Sequence, residues 1–267
     1  MTNYKFYQID AFTNSAFEGN PAGVILIDNN WPSDDLLQKI AREINLSETA
    51  FVQILGVHKY KIRFFTPTCE VPLCGHATLS AAFVLFNELN LKTNQLIFNT
   101  IDLQLHVDYN PKNKLVKLNF PLYSLQQLPN NTEISQILNL PITELYACDN
   151  NWKMAICKSE IALQNLQVNA NTLTSNGYGQ IILTAKSDSQ NDFVYRCFVP
   201  DLGILEDPVT GSAQCTLAPY WSSVLNKKEL ISQQLSGRTN TITAQVNANN
   251  ISIFGTCTTV IKGDLMF

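Results

Sequence analysis

The sequence predicts an α/β protein of two similar domains, each a curved sheet around one buried helix. The first observation is a repeated phrase: Glu-x-Pro-x-x-Gly-x-Ala occurs at residues 70–77 and again at 206–213. The second is an Arg-x-Phe-x-Pro pattern that precedes each copy, at 63–67 and at 196–200. Because the copies stand about half of the 267-residue chain apart, the pattern indicates an internal duplication rather than a solenoid of many short repeats.

Each copy of the phrase lies between a predicted strand and a predicted helix. Residues 60–65 alternate in polarity and residues 192–199 are apolar and aromatic, and both patterns are typical of strands. Residues 76–86 are apolar all round, which predicts a helix buried on every side. Residues 212–225 have the same character, although Pro219 is expected to kink that helix or end it early.

The other elements are predicted from periodicity and caps. Residues 33–44 have Ser33 as an N-cap, acids in the first turn and apolar residues at helical spacing, which predicts an amphipathic helix. Further strands are predicted at 22–28, 103–109, 115–120 and 179–185. We predict a first domain over 1–115, to which a strand near 256–267 can return, and a second domain over 116–255.

Composition and charge exclude several classes of protein. A chain that is 45% hydrophobic and 15% charged is typical of a folded soluble protein. A net charge of −4 argues against nucleic acid or an anionic membrane surface as the main partner. No apolar run approaches the ~20 residues that a membrane span needs. The Gly-x-Gly-x-x-Gly and Walker motifs of nucleotide-binding enzymes are also absent from the sequence.

The cysteines and histidines indicate whether the protein is in a reducing or an oxidising compartment and whether it has a metal site. The seven cysteines are scattered and form no Cys-x-x-Cys pair, which favours a reducing cytoplasm over a disulfide framework or a zinc ribbon. The three histidines, His58, His76 and His106, lie on separate segments, and no His-Glu-x-x-His motif occurs. We therefore expect no metal site.

In both copies the phrase carries the chain from a strand into a helix, which we expect Gly75 or Gly211 to open. A helix start has unpaired N–H groups and a partial positive charge of about half an electron, which suits an anion such as a carboxylate. Two such starts in similar domains could face each other across a cleft that binds a small molecule. Two ordinary glycine-containing helix starts are the alternative.

The positions that differ between the copies carry candidate chemistry. His76 can exchange protons near neutral pH, or it can simply cap the helix. Asp207, before a proline, is either a turn-forming carboxylate or a functional acid. Cys74 is either a thiol whose pKa the helix start lowers or a small core residue. Glu48, in NLSETAFV, would by itself be more typical of an exposed strand or turn than of a catalyst.

Four longer motifs add a family resemblance: YQIDAFTNSAFEGNPAGVIL, NLSETAFV, RFFTPTCEVPLCGHATLSA and RCFVPDLGILEDPVTGSA…LAPYW. In this order and combination they are similar to motifs of the PhzF-like phenazine-biosynthesis isomerases, which have the diaminopimelate-epimerase-like fold. The resemblance implies two pseudo-symmetric domains, each a mostly antiparallel sheet rolled around a central helix, with the site in the cleft between them.

The resemblance also implies site residues and a type of reaction. The catalytic carboxylate of the family falls on Glu48, and its His and Asp partners fall on His76 and Asp207. The substrate-binding residues that it implies are Asn20, Gly75, Gly211 and Ser212. The expected reaction is a cofactor-independent proton shift within a small carboxylate-bearing molecule, and related proteins lead us to expect a homodimer. The phenazine precursor itself is not implied, because phenazine-like proteins need not make phenazines.

Three alternatives accompany this interpretation. The related racemases use two cysteines, but here Thr210 takes the place of the second, and a hydroxyl is far too weak an acid to replace a thiolate. A Cys-His hydrolase built on Cys74 and His76 is disfavoured because we expect these two side chains to point in different directions. A non-catalytic metabolite-binding protein on the same fold is the alternative function.

Overall fold

The computed structural model describes residues 3–28, 30–129, 131–238 and 240–267. These residues form 18 strands and six α-helices, which confirms the predicted α/β class. Among them, no helix combines the length and the apolar character that crossing a bilayer requires. The chain divides into two compact units, the first comprising residues 1–119 and 253–267 and the second residues 120–252.

The strands and helices are numbered along the chain. The strands are β1 (Asn3–Ala11), β2 (Asn20–Ile27), β3 (Glu48–Gly56), β4 (Lys59–Phe65), β5 (Glu70–Val71), β6 (Gln95–Asn99), β7 (Gln104–Asn110), β8 (Leu115–Pro121), β9 (Leu125–Gln127), β10 (Ile142–Cys148), β11 (Lys153–Cys157), β12 (Ile181–Lys186), β13 (Phe193–Val199), β14 (Ile204–Glu206), β15 (Glu229–Gln234), β16 (Asn240–Val246), β17 (Asn250–Gly255) and β18 (Cys257–Met266). The helices are α1 (Asp34–Ile44), α2 (Gly75–Phe83), α3 (Thr132–Leu138), α4 (Glu160–Gln164), α5 (Ala170–Ser175) and α6 (Gln214–Leu225).

In the first unit the strands pair in the order β18–β1–β2–β3–β4–β6–β7–β8, and β5 pairs with the end of β4. The pairs β2–β3 and β4–β6 are parallel, and the others are antiparallel. All nine residues of α2 are buried, as its apolar sequence predicts, and the helix packs against β1, β2, β3 and β18. Helix α1 packs on Ile25, Ile27 and Phe51 of the sheet. Each apolar side chain fully buried in this way contributes about 1.5–3 kcal/mol.

The second unit repeats this pairing scheme. Its strands pair in the order β9–β10–β11–β12–β13–β15–β16, and β14 pairs with the end of β13. The pairs β11–β12 and β13–β15 are parallel, at the places where β2–β3 and β4–β6 are parallel in the first unit. Helix α6 packs against β15 and β16, and its Trp221 donates a hydrogen bond to Thr184 of β12 at 3.0 Å. The internal repeat of the sequence thus corresponds to a repeated topology.

An ion pair explains why Arg and Glu recur in both copies of the motif. In the first unit Arg63 of β4 binds Glu70 of β5 through two hydrogen bonds of 2.6 Å. In the second, Arg196 of β13 binds Glu206 of β14 through bonds of 2.8 and 2.7 Å. Each guanidinium also lies over the phenylalanine two residues later in its own strand, at 5.1 Å for Arg63 and 4.8 Å for Arg196. A bidentate pair of this kind fixes the direction in which the chain leaves the strand.

Helix α6 differs from the sequence-based expectation at its start. It begins at Gln214 rather than at Gly211, because Gly211 and Ser212 lie in a tight turn. In that turn the backbone N–H groups of Gln214 and Cys215 donate to the carbonyls of Gly211 and Ser212, each three residues earlier.

Of the two alternatives for Pro219, a kink or an early end of the helix, the early end is wrong, because α6 continues to Leu225. A proline within a helix leaves the carbonyl four residues earlier without its usual donor. Here that carbonyl belongs to Cys215, and it accepts a hydrogen bond of 3.0 Å from the backbone N–H of Tyr123 instead.

Replacing Arg196 by methionine should destabilise the fold more than replacing an exposed lysine. Arg196 also donates to the backbone carbonyls of Leu163 and Leu166, so Arg196→Met removes this donor from the Leu166 carbonyl and the Glu206 carboxylate, whereas the Leu163 carbonyl still accepts from the Leu166 N–H. We expect the free energy of unfolding in urea to fall by about 2–4 kcal/mol. The control is Lys39→Met, which removes an exposed ion pair with Asp35 and should leave the midpoint unchanged. Equal midpoints for the two variants would contradict the structural role of the pair.

Candidate active site

The parallel pairing of β2 and β3 places two polar side chains on one face of the first sheet. Ala22 lies opposite Glu48, and opposite residues in a sheet point to the same side. Asn20 stands two residues before Ala22 and therefore projects from that same side. Helix α2 covers this face, and His76 in its first turn contacts both Asn20 and Glu48.

Gly19 allows β2 to begin at this position. Its φ of +65° is favourable for glycine, and a Cβ atom there would lie 2.1 Å from the backbone oxygen of Ala11. The Gly-Asn-Pro sequence thus places Asn20 at the start of the strand.

The imidazole of His76 is contacted at both nitrogens. Its Nδ1 lies 3.1 Å from Nδ2 of Asn20, and its Nε2 lies 3.1 Å from Oε2 of Glu48. The hydroxyl of Ser47 donates to Oδ1 of Asn20 at 3.0 Å and lies 3.2 Å from Nε2 of His76. His76 is only 3% exposed, whereas the Glu48 side chain keeps 12% of its surface open to solvent. The carboxylate is therefore the more accessible member of the pair.

Opposing effects set the protonation of His76. Burial lowers the pKa of His76, but the Cys74 sulfur and the Glu48 carboxylate raise it, and the result is a pKa well above its usual value. Asn20 accommodates either form of the ring. Its Nδ2 can donate to Nδ1 of a neutral imidazole, and its Oδ1 can accept from an imidazolium after the amide rotates.

Cys74, the N-cap of α2, belongs to the same cluster. The expectation that Cys74 and His76 point in different directions is wrong, because the sulfur lies 3.5 Å from Nδ1 and 4.0 Å from Nε2. Burial, with a further contribution from Glu48, raises the pKa of the Cys74 thiol to about 11. Desolvation therefore outweighs the helix start, and a neutral thiol at pH 7 argues against a Cys-His hydrolase.

The second unit holds the other predicted polar site residues. Asp207 is buried, and its carboxylate accepts a hydrogen bond of 2.5 Å from the hydroxyl of Thr210. Gln234 joins both residues to β15: its side chain accepts from the Thr210 N–H at 2.6 Å and donates to the Asp207 carbonyl at 2.5 Å. Gly211 is buried and Ser212 is partly buried in the turn before α6. We call Asn20, Ser47, Glu48, Cys74 and His76 the first cluster, and Asp207, Thr210, Gly211, Ser212 and Gln234 the second cluster.

Sequence reasoning missed two contributors to these clusters. Ser47 directly precedes Glu48, and its proximity in the chain was the signal that could have identified it. Gln234 lies at the end of β15, outside the four motifs, so its contact with the Asp207 loop could not be read from them.

Comparisons with known proteins define the class. A Pseudomonas aeruginosa protein described as an uncharacterized isomerase is 39% identical to this chain, and the match covers 97% of each. A protein with the same description from Halalkalibacterium halodurans is 38% identical over 100% of both chains. The crystal structure of a phenazine biosynthesis protein of the PhzF family from Enterococcus faecalis matches with a TM-score of 0.91 at 36% identity, covering 100% of each chain. These similarities establish the chain as an isomerase.

The family follows from the match along the sequence. Residues 9–263 match the family described as phenazine biosynthesis-like protein. The chain belongs to this family, which confirms the resemblance that the four motifs indicate.

Removing the charge of Glu48 should lower the pKa of His76, because the carboxylate is one of the groups that raise it. An NMR titration of the imidazole resonances can measure this, since the chain has three histidines. In Glu48→Gln we expect the His76 pKa to fall. The control is Glu43→Gln, an exposed position on α1. An unchanged His76 pKa in Glu48→Gln would show that the two groups are not coupled.

Proposed function

We propose that this isomerase moves a proton within a small carboxylate-bearing molecule without a cofactor, and that Glu48 carries the proton. The observation that supports this is the Glu48–His76 pair: Oε2 of Glu48 lies 3.1 Å from the buried imidazole, and the Glu48 side chain as a whole retains 12% exposure to solvent. A base must reach its substrate, and of these two side chains that of Glu48 is the more exposed to solvent.

The proposed step is general acid–base catalysis. Glu48 takes a proton from one carbon of the substrate and returns it to another, so that no net proton is gained or lost. His76 lies against the carboxylate and can donate a hydrogen bond from Nε2 to Glu48 while it is ionised, or to the negative charge that develops on the substrate when Glu48 has taken the proton. A positioned acid–base group of this kind accelerates a reaction by about 10²–10⁴-fold, and orientation of the substrate supplies further rate.

The start of α2 is suited to the substrate's carboxylate. The N-cap Cys74 provides no side-chain hydrogen bond to the helix, unlike Ser33 at the start of α1, whose hydroxyl accepts from Leu36 N. The backbone N–H groups near Gly75 and the partial charge of about half an electron at a helix start favour an anion. We therefore propose Gly75 and Asn20 as substrate-binding residues.

We further propose Asp207 as a catalytic residue and Gly211 and Ser212 as substrate-binding residues. The support is the duplicated topology, in which residues 207–212 follow Glu206 of β14 as residues 71–76 follow Glu70 of β5 in the first unit. Asp207 is anchored by Thr210 at 2.5 Å, which fixes its carboxylate in a defined direction. Such a carboxylate can orient a polar group of the substrate.

Glu48→Gln should abolish turnover while preserving the fold, because the amide keeps the volume of the side chain but can no longer take up a proton. The measurement is an NMR screen of small carboxylic acids in D₂O, which detects both new isomers and deuterium that enters a C–H position. We expect exchange with the wild type and with the control Glu43→Gln, and a loss of about 10²-fold or more with Glu48→Gln. A non-catalytic binding protein would bind a metabolite without incorporating deuterium, and full activity in Glu48→Gln would remove this residue from the mechanism.

Asp207→Asn should reduce exchange with the same substrate, because the second cluster loses its carboxylate. The expected loss is about tenfold or more, measured as kcat and KM in the assay above. The control is Asp188→Asn, an exposed carboxylate in the same unit. Unaltered kinetics in Asp207→Asn would confine catalysis to the first cluster.

A further inference from the structure

Three side chains of the first cluster bring three different metal-ligating atoms together. They are a carboxylate oxygen of Glu48, the sulfur of Cys74 and a ring nitrogen of His76, and these atoms all lie within 4.8 Å of one another. The three residues come from two elements, with Glu48 at the start of β3 and Cys74 and His76 at the start of α2.

The spacing is close to that of a tetrahedral ligand set. Bonds of about 2.3 Å to sulfur and about 2.0–2.2 Å to nitrogen and oxygen place ligand atoms about 3.3–3.6 Å apart around Zn²⁺. Here Nε2 of His76 lies 3.1 Å from Oε2 of Glu48 and 4.0 Å from Sγ of Cys74. The remaining distance, between Glu48 and Cys74, is at most 4.8 Å. Side-chain rotations that move these atoms by about an ångström complete the arrangement.

One atom of the cluster is poorly satisfied without a ligand. Oε2 of Glu48 is shielded from solvent and accepts no hydrogen bond of good geometry from the described residues, although Nε2 of His76 lies 3.1 Å away. A buried carboxylate oxygen in this position is stabilised by a cation.

We propose that Glu48, Cys74 and His76 bind one soft divalent cation of the Zn²⁺ type, and that the bound cation inhibits the isomerase by occupying its acid–base pair. The inhibition rests on the proposed role of Glu48, whereas the binding does not. The fourth tetrahedral position is left for water or for a substrate oxygen.

The chemistry of the three ligands selects the class of metal. Thiolate and imidazole favour Zn²⁺, Co²⁺ and Cd²⁺ over Mg²⁺ and Ca²⁺, which prefer sets of oxygen ligands. The thiol releases its proton to solvent when the metal–sulfur bond forms, and the Nε2 proton of His76 leaves in the same way when the ring binds the metal. Asn20 completes the site, because its side-chain amide lies 3.1 Å from Nδ1 of His76 and can accept the N–H of a ring that binds metal through Nε2.

Titration with Co²⁺, which reports its ligands by absorption, tests the site. The wild type should bind one Co²⁺ per chain with a sulfur-to-cobalt charge-transfer band, and Mg²⁺ should not displace it. Cys74→Ala should abolish the band, whereas the control Cys69→Ala, at a partly exposed cysteine in the same unit, should retain it. The proposal is overturned if the wild type shows no band or if the band survives in Cys74→Ala.

X-ray absorption of the Zn²⁺-loaded wild type identifies the ligands and does not require that the Cys74→Ala variant folds. We expect one sulfur at about 2.3 Å and nitrogen or oxygen ligands at about 2.0–2.2 Å. A shell without sulfur, or with two or more sulfurs, overturns the assignment. Glu48→Gln should keep the sulfur and bind Zn²⁺ about 10- to 100-fold more weakly, and wild-type affinity in this variant would exclude Glu48 as a ligand.

Deuterium exchange separates the inhibition from the proposed function. One equivalent of Zn²⁺ should lower exchange by about 10²-fold, and EDTA should restore it. Exchange that continues at the original rate in protein whose site is filled overturns the inhibition. If metal-free protein exchanges with no carboxylic acid while the Co²⁺ band is present, the proposed function fails and the metal site is supported.

Discussion

The burial of α2 against the parallel pair β2–β3 is the constraint on which the candidate site depends. All nine residues of the helix are buried, so its position on the sheet is fixed by packing rather than by a flexible loop. The parallel register then determines which strand residues lie beneath its first turn, because Ala22 lies opposite Glu48. A shift of one residue in either strand would turn Asn20 or Glu48 to the other face of the sheet, and that side chain would lose its contact with His76.

In the duplicated phrase, the residues shared by both copies have a structural role, and the residues that differ carry the chemistry. The repeated Arg and Glu form the same bidentate ion pair in both units, and the repeated Arg lies over a phenylalanine in both. The positions that differ carry the reactive groups. Cys74 contacts His76 in the first unit, whereas its counterpart Thr210 donates to Asp207 in the second. The exchange of a thiol for a hydroxyl is thus accompanied by a different partner, and the two clusters are not chemically equivalent.

Desolvation governs the chemistry of the first cluster. Burial raises the pKa of the Cys74 thiol to about 11, which removes the reactivity that a helix start alone would favour. The same burial lowers the pKa of His76, but neighbouring Cys74 and Glu48 reverse the sign of the net shift. The behaviour of each group therefore depends on its neighbours within about 4 Å. The convergence of oxygen, nitrogen and sulfur donors also makes the cluster a candidate ligand set for a soft cation.

The sequence by itself determined the α/β class, the family, the buried helix α2 and the amphipathic helix α1, because periodicity, caps and motif order are local properties. It could not decide whether α6 continues past Pro219 or ends there, since the compensating donor at Tyr123 lies far away in the chain. Nor could it show that Glu48 lies beside Cys74 and His76, because β4 and β5 separate them in the chain and only the tertiary structure brings their side-chain atoms within 4.8 Å of one another. Residue types set the available chemistry, and strand register with helix burial decided which of those residues lie within bonding distance of each other.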